Sequence, residues 1–429
     1  MLIGINAQKL FVTQDYRNAG ISRYIGQLAR HLPEVAGPEC YRLYTNQHVR
    51  RWPGVEGPRL RVLSTPLPTT QPLLRILWEQ TVLPVLALRD GIDLLHCPLN
   101  IQPVLCRAPV VLTIHDLTFV RFPDRFHPLK QRYLARLTRF SARRARRILA
   151  DSAATKRDVE ETFGIPPSKI DVVYPAVDPD FRPFDRTEGR TNDRAVEAFR
   201  RRKGLPERFI LYLGTLEPRK NVDKLVTAYA AAARRGLPHA LVLAGGKGWN
   251  YQAIFQAVER HGLADRVLFP GYVDRADQPL WYNAAELFVY PSQYEGFGLP
   301  ALEAMACGVP VVTSNTSSLP EVVGSAGATV DPTDVGALSE MMVAVLSDAG
   351  RMATMRLEGR RQAAGFTWRA AAEACVAAYR VANSPGAGEP SLVGASVSGT
   401  PDVSGVPEMS KIDQGARRWP LDSIRQVAG

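Results

Sequence analysis

Glu295-Gly296-Phe297-Gly298-Leu299-Pro300-Ala301-Leu302-Glu303 sets two acids eight residues apart across a glycine-containing turn. Leu299 to Cys307 reads as a helix: Pro300 suits its first turn, where a missing N–H costs nothing, and Gly308 with Pro310 stops it. The preceding run Leu287-Phe288-Val289-Tyr290 has the length and β-rich composition of a buried strand. Strand, glycine turn and helix start therefore meet at one point, a geometry that offers backbone N–H groups to an anion. Glu303, about one turn into the helix, can reach a sugar hydroxyl as an acceptor. Glu295 stands ahead of the helix, where a reacting group would lie. Such units also serve as plain scaffolding in α/β proteins, so the rest of the chain decides what the two acids mean.

The 429 residues are enough for two domains with separate cores. Leu2 to Asn6 reads as a strand, and Ile21, Tyr24, Ile25, Leu28 and Leu32 recur at helical spacing just after it. Further strands are expected at Asp93–Cys97, Val110–Ile114, Arg147–Ala150 and Asp171–Tyr174. Pro72 to Leu88 reads as helical in parts, interrupted by Pro84. The alternation breaks near Pro175, and Asp178 to Arg202, rich in Pro, Asp, Arg and Gly, reads as a connector with an insertion. A second series follows, with strands at Phe209–Leu213, Ala240–Ala244, Arg266–Phe269, Leu287–Tyr290 and Pro310–Thr313 and a helix at Leu280–Ala285. This is the pattern of an α/β fold with two Rossmann-like domains facing a cleft. Their expected extents are 1–176 and 205–365, joined by 177–204 and followed by a helix over 366–383. The tail 384–429 shifts to Ser, Pro, Gly, Ala and Val with few aromatics, a composition that predicts disorder.

Composition excludes several classes. No apolar run approaches the roughly 18–20 residues that span a bilayer. Met1-Leu2-Ile3-Gly4-Ile5-Asn6 lacks a basic n-region, so no secretory signal is expected. The five cysteines are scattered and have no Cys-x-x-Cys spacing, which argues against a disulfide framework or a zinc site and fits a reduced, cytoplasmic setting. The net charge of +11 calls for an anionic partner or a solvated basic surface. Arg132, Arg136, Arg139, Arg143 and Arg147 recur at spacings of three and four, with Leu134, Leu137, Ala145 and Ile148 on another face. That stripe suits either plain solvation or anionic lipid head groups. No motif of nucleic-acid recognition accompanies it.

Five further elements converge on the opening motif. Leu211-Tyr212-Leu213-Gly214-Thr215-Leu216-Glu217-Pro218-Arg219-Lys220-Asn221 leaves a strand and enters a helix. Arg219 and Lys220 are placed there to neutralise a diphosphate, one bidentately and the other as a point charge, unless they are a solvated loop pair. Gly20, directly before the first helix, would let a phosphate approach the backbone or would serve only a turn. His115 lies just past Val111-Leu112-Thr113-Ile114, where a cleft is expected, with His96 on the adjacent strand as its competitor. Ser152, in Asp151-Ser152-Ala153-Ala154-Thr155-Lys156, suits a helix N-cap. Pro270-Gly271-Tyr272-Val273 follows another strand.

The run Tyr294 to Pro300 with Glu303, and the run Gly214 to Asn221, closely resemble the signature of the family-4 retaining glycosyltransferases, which have the GT-B fold. The likeness spans roughly Met1 to Ala382 and is densest from Gly214 to Glu321. The insertion around Phe184–Arg202 and the tail after Asn383 depart from it. The resemblance implies that Arg219 and Lys220 bind the donor phosphates and that the Gly20 loop reaches towards donor and acceptor across the cleft. It implies that His115 contacts the donor sugar or supports the reacting centre, and that Tyr272 and Val273 pack on the nucleotide base through backbone groups. Glu295 would orient the sugar near C3/C4, Glu303 would bind the ribose, and Gly296, Phe297, Gly298 and Leu299 would hold the phosphates. His115, Glu295 and Lys220 are the expected catalytic residues, and the last helix is expected to cross back to the first domain.

A glycoside hydrolase is the competing chemistry for two acids, which would then lie about 5–5.5 Å or 6.5–9.5 Å apart. Eight residues on one helix would separate them by about 12 Å, and a hydrolase has no use for Arg219 and Lys220. A sugar-nucleotide epimerase of the same architecture and a binding protein without catalysis are the other classes considered. Transfer from a nucleoside diphosphate sugar uses every part. The resemblance implies retention of anomeric configuration with neither metal nor cofactor, cationic side chains doing the work of Mg2+; Asp178-Pro179-Asp180 reads as a turn in the connector. Gly20-Ile21-Ser22-Arg23-Tyr24 and Leu77-Trp78-Glu79-Gln80 resemble the mannosyltransferase-like branch of O-antigen and exopolysaccharide synthesis. GDP-mannose is the first expected donor and a UDP-sugar the second. The acceptor would be a saccharide, free or on a polyprenyl diphosphate, met at the inner face of the cell membrane through the Arg132–Arg147 helix.

Overall fold

The computed structural model describes residues 1–12, 20–184 and 194–384. The tail beyond Ser384 and residues 185–193 of the insertion lie outside them. The first domain holds β1 (Leu2–Ala7), α1 (Ile21–His31), β2 (Cys40–Thr45), β3 (Leu60–Ser64), α2 (Pro72–Arg89), β4 (Leu94–Cys97), β5 (Val110–Ile114), α3 (Thr118–Arg121), α4 (Pro128–Arg144), β6 (Arg147–Ala150), α5 (Ala153–Phe163) and β7 (Ile170–Val172). Its seven strands form one parallel sheet in the order β3-β2-β1-β4-β5-β6-β7.

The second domain begins with α6 (Arg194–Lys203), β8 (Phe209–Leu213), α7 (Val222–Arg234), β9 (Ala240–Ala244), α8 (Gln252–Arg260), β10 (Val267–Gly271), α9 (Gln278–Ala284) and β11 (Leu287–Tyr290). It continues with α10 (Leu299–Ala306), β12 (Val311–Ser314), α11 (Leu319–Val323), β13 (Ala328–Val330), α12 (Val335–Leu346) and α13 (Ala349–Ala364). Its parallel sheet runs β10-β9-β8-β11-β12-β13. The strand order reverses beside β1 and β4 in one sheet and beside β8 and β11 in the other, which opens a crevice at each carboxyl edge. Both crevices face the same interdomain space. The last helix, α14 (Trp368–Asn383), returns to the first domain and packs on α1, β4, β5 and β6. There the Tyr379 hydroxyl meets His96 Nδ1 at 2.8 Å and Arg380 Nε donates to Glu39 Oε1 at 2.7 Å.

Strands read as continuous apolar runs are buried along their whole length, as helices on both faces require: all residues of β5, β8 and β11 lie in the interior. Several expectations need correction. Pro72 to Arg89 is one helix with Pro84 inside it, not two pieces. Arg147 does not continue the arginine stripe: α4 ends at Arg144, and Arg147 sits in β6, paired with Asp171. Asp178 is no simple connector turn, because Arg23, Gln27 and Arg275 all donate to its carboxylate. Part of the insertion is the helix α6, which buries Val196 and Phe199.

Candidate active site

The carboxyl ends of β8 and β11 bring the two charged motifs together. Past β8, the turn Pro218–Lys220 is closed by Asn221 at φ 61°, a left-handed conformation that asparagine tolerates, and α7 begins there. Past β11, the chain crosses to Glu295. Lys220 Nζ donates to Glu295 Oε1 at 2.5 Å and to the Tyr290 hydroxyl at 2.5 Å. Arg219 Nη1 lies 3.2 Å from Glu295 Oε2 and donates to the Tyr294 carbonyl at 2.5 Å, while its Nη2 bonds Glu217 Oε1 at 2.9 Å. Burial alone would raise the Glu295 carboxyl, but Lys220 and Arg219 hold it down at about 2. Burial lowers the Lys220 ammonium below its ordinary value, against the pull of Glu295. Glu295 is therefore ionised at neutral pH, which suits a residue that accepts hydrogen bonds and not one that supplies a proton.

Glycine is required at two points of the turn. A Cβ on Gly296 would fall 1.9 Å from the His115 carbonyl oxygen of the first domain, closer than any side chain permits. Gly298 sits at φ 114°, capping α10, and a Cβ there would meet Leu319 at 2.8 Å. Ser317 and Ser318 fix the turn: the Glu295 N–H donates to Ser317 Oγ, and Ser318 Oγ donates to the Glu295 and Phe297 carbonyls. Phe297 lies in the interior. It is buried against Tyr174 and Phe366 as a core side chain.

The first domain grips the same turn. Ser152 is the N-cap of α5, and both it and Thr155 donate to the Gly296 carbonyl, at 2.6 and 3.0 Å. Glu321 accepts from the amides of Ala153 and Ala154, so a carboxylate of the second domain sits on the amino end of a first-domain helix. The Tyr294 hydroxyl donates to Asp158 Oδ2 at 2.7 Å.

His115 and Glu303 are both more engaged than expected. His115 Nδ1–H donates to Asp151 Oδ2 at 2.7 Å and Nε2–H to the Pro98 carbonyl at 3.1 Å, so both nitrogens carry protons. Burial opposes that charge, yet Asp151 outweighs it and the imidazole is raised above its ordinary 6.5. His115 positions its neighbours and has no lone pair free for a base. Its competitor His96 is fully buried between Thr113 and Tyr379, and burial drives it down to about 3, a neutral core residue. Glu303 Oε1 accepts from Arg23 Nη1 of α1 at 2.9 Å and Oε2 from the Tyr282 hydroxyl at 2.9 Å. Arg23 falls in the Gly20–Tyr24 run, but nothing in the sequence announced its pairing with Glu303, which lies 280 residues away. Gly20, at φ 49°, is the N-cap of α1, and no atom of the described residues lies within 4 Å of its Cβ position. Val273 is buried and Tyr272 half exposed at the end of β10, away from the Glu295 cluster in sequence but on the same carboxyl edge of the sheet.

The family model described as glycosyl transferases group 1 matches residues 193–362, and that described as Glycosyltransferase Family 4 matches 18–181. The chain is 35% identical over 297 residues to O-antigen chain mannosyltransferase B of Escherichia coli, covering 69% of this chain and 76% of that one. The chain belongs to glycosyltransferase family 4. This family 4 glycosyltransferase is also 31% identical over 265 residues to the Serotype-specific mannosyltransferase WbdA of Escherichia coli, covering 60% of this chain and 32% of that longer one. Among solved structures, sucrose-phosphate synthase from Thermosynechococcus elongatus superposes with a TM-score of 0.69 over 88% of this chain and 98% of its own, at 21% identity. That likeness establishes the two-domain GT-B fold.

The His115–Asp151 pair has a measurable consequence. Because the folded imidazole binds its proton more tightly than the unfolded one, the pair stabilises fully below about pH 6.5 and loses that stabilisation as pH rises through the raised value. The thermal midpoint of the wild type should fall by about 2–4 °C between about pH 6 and pH 9. His115→Gln should start lower and stay flatter over that range. A wild-type midpoint that rises with pH would exclude the charged pair.

Proposed function

We propose that this glycosyltransferase transfers mannose from a nucleoside diphosphate sugar to a saccharide acceptor in the assembly of a cell-surface polysaccharide, with retention of configuration. The observation that carries the reading is the junction of Arg219, Lys220 and Glu295 with the amide turn Gly296–Leu299, at the edge where β8 and β11 reverse the strand order. Mannose is supported by the relation to O-antigen chain mannosyltransferase B.

In this mechanism Arg219, Lys220 and the amides of Gly298 and Leu299 offset the charge that builds on the departing nucleoside diphosphate. Glu295, ionised and braced by two cations, accepts hydrogen bonds from the sugar near C3/C4 and fixes its orientation. Glu303 takes a ribose hydroxyl after Arg23 yields its Oε1. The backbone at Tyr272 and Val273 borders the base. His115, held by Asp151 and Pro98, keeps the β5 edge against Gly296 so that the acceptor oxygen attacks the face the leaving group departs from. Cationic side chains fill the charge-offsetting part without a divalent ion.

A donor screen by released nucleoside diphosphate, with GDP-mannose and UDP-sugars in parallel, tests this. GDP-mannose with a saccharide acceptor should turn over in EDTA and give the α-anomer retained. Lys220→Ala and Glu295→Ala should each lower kcat by about 10²–10³. Turnover unchanged in both variants would refute the site, and activity restored only by Mn2+ would refute the metal-free mechanism.

The acceptor is proposed to be lipid-linked, and the first domain carries a surface for its membrane. Arg132, Arg136, Arg139 and Arg143 are exposed along α4. Leu73, Leu74, Leu77, Val85 and Leu88 are exposed along one face of α2, and Leu105 is exposed nearby in the loop that Gln80 holds at Val104. Apolar side chains beside a cationic stripe suit an anionic bilayer surface. No helix among the described residues is long and apolar enough to cross a membrane. Flotation should carry the protein with vesicles containing anionic lipid and not with neutral ones, and Arg132→Glu with Arg136→Glu should abolish it. Equal recovery with both vesicle types would remove the lipid-facing role.

A further inference from the structure

Arg125 closes the short turn Pro123–Arg125 between α3 and α4, on the first domain's side of the cleft. Its guanidinium carbon lies 4.0 Å from the ring centre of Phe122 and 5.4 Å from that of Trp249, which belongs to the loop after β9 in the second domain. The Phe122 ring in turn lies 5.8 Å from Tyr294, whose carbonyl accepts from Arg219. Arg125 is thus clamped across the cleft beside the Glu295 cluster.

Its electrostatic situation differs from that of the two cations in the motif. Arg219 is already paired with Glu217 and Glu295, and Lys220 with Glu295. Arg125 makes no ion pair among the described residues, and its buried Nη1 has no hydrogen-bond partner. Burial lowers its pKa, and Arg219 lowers it further, with only Glu217 opposing. Two guanidinium groups that repel one another, one of them without an ion pair among the described residues, are a poor arrangement unless an anion joins them.

We propose that Arg125 is a third phosphate-binding cation of the transfer reaction, delivered by the first domain onto the β-phosphate of the sugar nucleotide. This rests on the donor site described under Proposed function. As the bond from C1 to the β-phosphate oxygen breaks, its electron pair stays on that oxygen. The acceptor oxygen bonds C1, and its proton passes to the departing phosphate. Arg125 carries part of the charge left there. Trp249 and Phe122 hold the guanidinium plane, so this cation is in place only when the two domains are close.

The test compares affinities for GDP and GMP, with UDP and UMP in parallel, by calorimetry on the full chain. Arg125→Ala should weaken diphosphate binding by about 10–100-fold and leave monophosphate binding within about twofold. Arg125→Gln keeps a planar group without charge and should behave as Arg125→Ala does, which guards against a folding defect in either. With sugar nucleotide, both variants should lose kcat with little change in the KM for acceptor. A diphosphate-to-monophosphate affinity ratio equal to that of the wild type in both variants overturns the assignment. Lys220→Ala separates the two readings: if it too leaves the ratio unchanged, the donor site itself is misplaced, whereas a collapse of the ratio in Lys220→Ala alone rejects only Arg125.

Discussion

At Gly296 the two domains meet backbone to backbone, and the arrangement of the site follows from that approach. The His115 carbonyl comes so near that no side chain fits, and the hydroxyls of Ser152 and Thr155 close on the Gly296 carbonyl. With the turn held from the first domain, Glu295 is left pointing at Lys220 and Arg219 in the second. Ser317, Ser318 and Leu319 brace the other side of the turn. A loop tied this way needs no ordering when a ligand arrives, which is what preorganised stabilisation of a leaving group requires.

Charge is distributed with the same economy. The acids are each paired with cationic or imidazole partners: Glu295 with two cations, Asp151 with His115, Asp178 with Arg23 and Arg275. Glu295 and Asp178, both held below the ordinary carboxylate range by these cations, are not set up to exchange a proton near neutrality. In the proposed mechanism these positive groups receive the diphosphate, and residues of both domains border the place where it would sit. The Arg23–Glu303 bond is the clearest case, since the carboxylate expected to take the ribose is shared with a helix of the opposite domain.

The parts of this architecture that rest on local chemistry were legible in the sequence. The apolar runs of β5, β8 and β11 are buried throughout, and Gly298 with Pro300 marks the start of α10 within a residue. Motif residues Arg219, Lys220 and Glu295 come together as their spacing after two strands suggested. What escaped is non-local or contradicts a local rule. β2 and β3 mix polar residues among apolar ones because they lie towards the sheet edge, and neither was recognised. Pro84 is accommodated inside α2, although proline usually interrupts a helix. Arg147 kept helical spacing with α4 but lies in β6, where Asp171 claims it. Arg23, Arg125 and Glu321 acquire their meaning only from the opposite domain, and no spacing along the chain announces such partners.

The most direct measurement is a crystal structure with a non-transferable analogue of the sugar nucleotide bound. The account predicts the diphosphate between Lys220, Arg219 and the amides of Gly298 and Leu299, the sugar on Glu295, and a ribose hydroxyl on Glu303 with Arg23 moved off that carboxylate. A nucleotide bound elsewhere, with Arg23 still on Glu303 and the phosphates remote from Lys220, would contradict it.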